Sequence, residues 1–377
     1  MIKEVIATML VGLTIISEVP FTEETIARPI TQKLIKVTES NIKMVGDNLI
    51  HGSLNNQCKQ ADGSYKETIM YEHVKEEIQS ADIAIINQET MFVEDESDYS
   101  GYPRFGTTMA IGDSLVEAGF DVIAHATNHT LDQGLSGIEQ TLNFWSKYPE
   151  INVLGIHDSE EDSDICYIIN NNIVFSFVNY TYGLNGLDSL KKGKDYVVDM
   201  LSDENIDNTM KEASENSDFQ IAILHVGDEY VYTPTSYARK HVDKFIDLGA
   251  DLVLCAHPHV LETYGKRTTD AGNTAVVYYS LGNFISTQNK DPRMIGGMAD
   301  ITIRKVSIGD HSTTFISNYE LIPTITHLEK GNYCVYYLKD YTNDLCKKHN
   351  LFKEKTVDDL WKMYLSYISE ADYLITR

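Results

Sequence analysis

Leu252-Val253-Leu254-Cys255-Ala256-His257-Pro258-His259 is an apolar run that ends on two imidazoles. An unbroken apolar stretch of this length, bounded by polar sequence, is the mark of a strand covered on both faces. In an extended segment residues two apart point the same way, so His257 and His259 are expected on one face. Pro258 between them removes a backbone donor and stiffens the segment, which helps fix both rings. The same pattern recurs four times: Val45-Gly46-Asp47, Ile86-Asn87-Gln88-Glu89, Ala126-Thr127-Asn128-His129 and Leu224-His225-Val226-Gly227 each close an apolar run with ligand-type side chains.

Working outward, β-rich apolar runs at 42–45, 83–86, 122–126, 173–178, 221–224, 252–256 and 276–279 alternate with helical patterns at 68–79, 112–118, 135–145, 205–213 and 236–248. Such alternation predicts an α/β protein, here a β-sandwich of two sheets flanked by helices. Ligands in layered α/β proteins bind at the carboxyl ends of strands, so the five polar groups are expected to converge on one edge. Beyond Phe284 the extended stretches 299–308 and 313–322 predict extra antiparallel strands. Leu360, Trp361, Tyr364, Leu365 and Ile368, at helical spacing, predict a closing helix that docks on the core.

Composition bounds the partners. Lysine plus arginine total 31 against 56 aspartate plus glutamate in 377 residues, a formal charge of -25 that disfavours extended contact with nucleic acid or an anionic bilayer. An anionic substrate therefore needs a local cationic site such as metal ions. Five cysteines without a CxxC pair give neither a zinc ribbon nor a disulfide framework. The apolar stretch 5–16 after Lys3 resembles a signal or anchor segment, although Glu4 and the lack of an A-x-A site depart from that pattern. The expected organisation is a signal- or anchor-like segment and linker at 1–40, a main domain at 41–330, and a strand and helix packing on it at 331–377.

Taken singly, each polar group has an ordinary explanation. Gly46-Asp47 and Asn128-His129 suit turns or caps, and His225, His257 and His259 suit satisfied histidines. Glu89 is harder to place, because an unpaired carboxylate after a buried strand is costly unless it meets a cation. Together the groups form a mixed carboxylate, amide and imidazole set without thiolate, which suits Mn, Zn or Fe better than calcium. Two such divalent ions about 3.5 to 4 Å apart would clamp a phosphoryl or similar tetrahedral centre.

The blocks Gly46-Asp47, Asn87-Gln88-Glu89, Asn128-His129 with Asp132 and Gly134, His225-Val226-Gly227-Asp228-Glu229-Tyr230, His257-Pro258-His259 and Ser280-Leu281-Gly282-Asn283-Phe284 stand in an order that resembles the CapA-type poly-γ-glutamate capsule biosynthesis family. That family is similar to the calcineurin-like metallophosphoesterases. The likeness runs from Lys43 to Phe284 and includes the stretches 101–105 and 118–122. The resemblance implies that Asp47 and His259 hold one metal, that Asn128, His225 and His257 hold the other, and that Glu89 bridges them where related phosphoesterases use aspartate. It implies a catalytic role for His129 at the leaving group, and His51, Glu229 and Asn283 are the candidate substrate contacts. The superfamily's Asp-x-His is absent, since Asn48 and Leu49 follow Asp47 and the next histidine is His51. Thr127-Asn128-His129 and His225-Val226-Gly227 replace the family's Asn-Asn-His and His-Trp-Gly without removing a ligand.

These readings imply a metal-dependent hydrolase acting on a phosphoester or related bond in an envelope polymer or its precursor. The alternative is a non-catalytic polymer-binding or assembly component of a synthesis or export complex; an intracellular phosphatase unrelated to capsule is a third, weaker reading. His129 favours catalysis, since a structural metal site needs no acid beside it. The expected partners are an anionic polymer or phosphorylated small substrate and a membrane synthesis complex. The expected location is the cell envelope, anchored or secreted, with the cytoplasm as the alternative.

Overall fold

In the computed structural model, which describes residues 35–66 and 68–375 but not the side chains of 369–375, the apolar runs become strands of two sheets. In chain order the first strands are β1 (Ile35–Asn48), β2 (Ile83–Gln88), β3 (Phe92–Val93), β4 (Thr107–Thr108), β5 (Val122–Ala124), β6 (Asn152–Leu154), β7 (Cys166–Asn170) and β8 (Ile173–Thr181). They continue as β9 (Phe219–His225), β10 (Leu252–Ala256), β11 (Tyr264–Thr268), β12 (Thr274–Tyr278), β13 (Asn283–Ile285), β14 (Ile295–Ile308), β15 (His311–Glu329) and β16 (Asn332–Tyr337). The helices are α1 (Gly52–Gln57), α2 (Lys75–Gln79), α3 (Met109–Ala118), α4 (Gly134–Trp145), α5 (Ile206–Asn216), α6 (Ser236–Asp247), α7 (Asn343–Lys348) and α8 (Val357–Ile375). The apolar stretch at 5–16 lies outside the described residues. Among the described residues no helix is long and apolar enough to cross a membrane.

One large sheet runs β16-β15-β14-β1-β2-β5-β6 with β13 also paired to β1, the other runs β11-β12-β10-β9-β8-β7, and β3 and β4 pair as a separate two-stranded sheet. In the first, β1, β2, β5 and β6 are parallel neighbours. In the second, β8, β9, β10 and β12 are parallel, and β7 and β11 close the edges antiparallel. Alternation along the strands explains the unbroken apolar runs. Ile221, Ile223, Leu252 and Leu254 join Ile42, Met44, Ile83 and Ile85 in one apolar cluster. Their neighbours Ala222, Leu224, Val253 and Cys255 pack instead with Met210 of α5 and with Val242 and Phe245 of α6. Both faces of these strands are thus buried, each large aliphatic contributing about 1.5–3 kcal/mol.

The long hairpin β14–β15 and strand β16 extend the first sheet antiparallel, as the extended stretches after Phe284 predict. Helix α8 packs Leu360 and Tyr364 against the core, and the Tyr364 hydroxyl donates to the Leu321 carbonyl at 2.8 Å. Leu365, expected on that face, is instead 53% exposed. The single helix expected at 68–79 is also not formed: the chain makes a 3₁₀ turn at Ile69–Tyr71 and the short α2. Tyr71 is buried and its hydroxyl donates to Asn48 Oδ1 at 2.9 Å, which ties this segment to the end of β1 rather than letting it run as one helix. Strand β1 starts at Ile35, inside the stretch expected as linker.

Candidate metal centre

Asp47 is carried to the sheet edge by the last turn of β1, where the chain passes flush against the Ser280–Asn283 segment. A Cβ on Gly46 would lie 1.9 Å from the Gly282 carbonyl oxygen, so only glycine permits this approach. The Asp47 backbone N–H donates to that same carbonyl at 2.9 Å. Register then aligns the neighbours: Asp47 sits opposite Asn87 of β2, and His225, the last residue of β9, sits opposite Ala256 of β10. Glu89 and His257 follow those two strands directly.

The two histidines of the opening motif do not share a pleat. His257 has φ +108° and His259 φ +59°, both left-handed, so the chain turns at each ring and the extended reading is corrected. Contacts to Asp47 determine this conformation: its carboxylate accepts from the His257 N–H at 3.2 and 3.3 Å and pairs with His259 Nδ1 at 2.9 Å. Such backbone is costly for a residue with a side chain and persists where the surroundings over-determine it.

Two ligand triads result, with Glu89 common to both. Asp47, Glu89 and His259 offer atoms all within 4.8 Å of one another, and so do Glu89, His225 and His257. Asn128 Oδ1 lies 3.0 Å from His225 Nε2 beside the second triad. Glu89 is fully buried, yet neither of its carboxylate oxygens has a hydrogen-bond partner. Its Oε1 is 3.7 Å from His259 Nε2, 3.8 Å from His225 Nε2 and 4.0 Å from His129 Nε2. The spacings to His259 and His225 are too long for hydrogen bonds, but each fits a carboxylate oxygen and an imidazole nitrogen held by one cation at bonds of about 2.0–2.2 Å. His257 Nδ1 is likewise buried without a partner. The donor set therefore fits divalent metal.

The electrostatics divide the set: His225 and His257 are held neutral, whereas His259 must release a proton to bind a cation. Burial, reinforced by neighbouring imidazoles, holds His225 and His257 well below the usual histidine range, leaving neutral rings. Burial also opposes charge on His259, but Glu89 and the bonded Asp47 together outweigh it and lift its pKa to about 9. Burial pushes the Glu89 carboxyl well above its ordinary value, a cost that a bound cation would relieve.

His129 is held from behind: its Nδ1 pairs with Asp132 Oδ2 at 2.7 Å, and the Phe105 N–H donates to the same oxygen at 2.8 Å. Its ring stands edge-on to Phe105, with centroids 4.7 Å apart. His129 and His259 line a cavity of about 390 Å³ whose other walls include His51, Arg104, Asp132, Asn185, Glu229, Tyr230 and Gln288. Burial lowers His51 to a pKa of about 4. Asn283 is not among the lining residues; it is 1% exposed and its amide donates to the carbonyls of His259 at 3.4 Å and Arg293 at 3.1 Å, bracing the His259 turn.

Sequence reading assigned no role to three residues that the structure places here. Asn87 Nδ2 donates to Asp47 Oδ1 at 2.9 Å and lies 3.4 Å from His225 Nδ1, linking the sheets. Asp132, three residues after His129, orients that ring, a spacing visible in the sequence. Arg104 lines the cavity from a loop, where no periodicity marks it.

The chain is 27% identical over 211 residues to the PGA biosynthesis protein CapA of Bacillus subtilis (strain 168), covering 55% of this chain and 54% of the relative. It is 24% identical over 264 residues to the capsule biosynthesis protein CapA of Bacillus anthracis, covering 67% and 62%. It thus spans little more than half the length of these curated relatives. Among solved structures it aligns with the NAD nucleotidase of Haemophilus influenzae at a TM-score of 0.44 and 13% identity, covering 90% of this chain and 61% of that one. A putative 5'-nucleotidase of Staphylococcus aureus aligns at a TM-score of 0.44 and 15% identity, covering 75% and 54%. The model of the bacterial capsule synthesis protein PGA_cap matches residues 41–288, which contain both triads, His129 and its Asp132 support, and the chain belongs to that family.

Proposed function

We propose that this chain is a metal-dependent hydrolase of capsule biogenesis at the cell envelope, acting on a phosphoester or related bond in an anionic polymer or a phosphorylated precursor. The observation that carries the reading is Glu89, a fully buried carboxylate with two unpartnered oxygens at the junction of two histidine-bearing triads. Asp47, Glu89 and His259 would hold one divalent ion, and Glu89, His225, His257 and Asn128 the other, with Mn, Zn or Fe suited to the set. When bound, the ions would supply Lewis acidity toward a tetrahedral centre and a nucleophile at neutral pH. With Asp132 accepting from Nδ1, His129 turns Nε2 toward the Glu89 side of the centre, the atom from which the ring in its protonated form would donate to a leaving group. Glu229 and His51 line the approach, and Arg104 offers the cationic contact that a chain of charge -25 must supply locally.

The test is hydrolysis by purified, metal-reconstituted protein of bis(p-nitrophenyl) phosphate and of poly-γ-glutamate, with and without chelation. Chelator-sensitive turnover of either supports the reading. Metal-loaded protein inert toward both, together with a His129→Ala chain that still restores capsule production in cells, would replace it with the polymer-binding assembly role.

A further inference from the structure

Away from the two triads, a third group of ligand atoms lies where the chain crosses from one sheet to the other. His157 leaves the first sheet after β6, Asp164 precedes β7 of the second sheet, and Asp199 lies in the segment that runs alongside β8. Backbone bonds bring His157 and Asp199 together. The His157 N–H donates to the Val197 carbonyl at 3.2 Å, the Asp199 N–H to the Gly155 carbonyl at 3.2 Å, and the Thr181 N–H to the Asp199 carbonyl at 3.0 Å. Ligand atoms of His157, Asp164 and Asp199 lie within 4.8 Å of one another.

The distances are those of a coordination sphere. Ligand atoms at metal bonds of about 2.0–2.1 Å in tetrahedral array are about 3.3 Å apart. Here His157 Nε2 is 2.9 Å from Asp199 Oδ1 and 3.9 Å from Asp164 Oδ1, values that bracket that spacing. Asp199 is only 4% exposed, and its Oδ2 is buried with no hydrogen-bond partner. No lysine or arginine among the described residues forms an ion pair with Asp164 or Asp199; nearby Lys191 is spent on Asp195 at 3.0 Å. A His–Asp pair alone would account for one oxygen of Asp199 and leave the second, buried one without a partner.

We propose that His157, Asp164 and Asp199 form a separate site for one divalent transition-metal ion, which fastens the 155–165 crossover to the 197–203 segment and so couples the two sheets. An imidazole with two carboxylates suits Zn²⁺ or Mn²⁺ rather than Ca²⁺ or Mg²⁺. Asp164, with a side chain 36% exposed, leaves one side of the sphere open to water. The site shares no residue with the Glu89 centre, and its role is structural.

The test uses the full chain with both ion sites of the other centre disabled by His225→Ala, His257→Ala and His259→Ala, stripped with chelator and dialysed against Zn²⁺. One ion per chain is expected to remain, with a rise in Tm on Zn²⁺ addition, and Asp164→Asn or His157→Gln in that background should abolish both. Zn²⁺ content and Tm response equal with and without Asp164→Asn would overturn the proposal. Asp164→Asn is the deciding variant because its side chain is partly exposed, its one side-chain hydrogen bond being from Thr209 at 3.4 Å, so it should fold even where Asp199→Asn does not. Failure of the Glu89 centre would change the metal content of the parent but not this difference.

Discussion

Replacing His129 with alanine separates chemistry from scaffold. The ring lies beside the triads without supplying a ligand atom to either, and its removal takes away one hydrogen bond, to Asp132, and an edge contact with Phe105. Asp132 Oδ2 keeps its bond from the Phe105 N–H, while its buried Oδ1 is without a partner in either form. The stability cost is then about 1–3 kcal/mol, well inside the roughly 5–15 kcal/mol of an ordinary domain, and the chain should fold. Loss of a positioned general acid lowers turnover by roughly 100- to 10,000-fold, equivalent to about 2.7–5.5 kcal/mol in the barrier. Turnover of bis(p-nitrophenyl) phosphate, metal content by mass spectrometry and Tm, measured on one preparation, read the three quantities. Full metal content with turnover reduced a hundredfold or more is expected. Unchanged turnover, or metal lost in step with turnover, would refute the assignment of His129 as an acid beside the metals.

Gly46→Ala should lower Tm and weaken metal binding together, because its methyl group would fall 1.9 Å from the Gly282 carbonyl and displace Asp47, an overpacking cost of at least about 1–3 kcal/mol; a variant melting with the parent would contradict the close approach. His125 is fully buried, accepts the Trp145 indole N–H at 2.9 Å, and has its pKa lowered by burial from 6.5 to about 3. Between those values the unfolded chain binds the proton and the folded chain does not, so stability falls as pH drops from 6.5 toward 3, by up to a few kcal/mol. His125→Gln should flatten the acid limb of a denaturation profile by roughly one proton, and an unaltered limb would count against a neutral buried imidazole.

The fold was legible where burial on both faces wrote itself into composition. Residues 221–224 and 252–256 are apolar without interruption because alternate side chains meet the opposite sheet and helices α5 and α6. Convergence of Asp47, Glu89, Asn128, His225, His257 and His259 was legible for the same reason, since parallel strands of one chain expose their carboxyl ends together. What could not be read locally depended on single long-range contacts. The left-handed turns at His257 and His259 answer to Asp47, more than two hundred residues earlier in the chain. The broken helix at 68–79 answers to Asn48 through the Tyr71 hydroxyl, and the place of Asn283 beneath the His259 turn depends on carbonyls that no side-chain pattern announces. Arg104 is a lone cation on a loop, and only the folded cavity distinguishes it from any other exposed arginine.

The account turns on Glu89 as the carboxylate common to two ion sites, and the direct measurement is the metal content of Glu89→Gln. With Asp164→Asn included to remove the His157 site, the parent should bind two ions per chain after reconstitution. The glutamine variant, of equal shape but without the charge, should lose both ions together while keeping the parent's circular dichroism. Two ions retained in Glu89→Gln, or one lost and one held at parental affinity, would contradict the shared bridge.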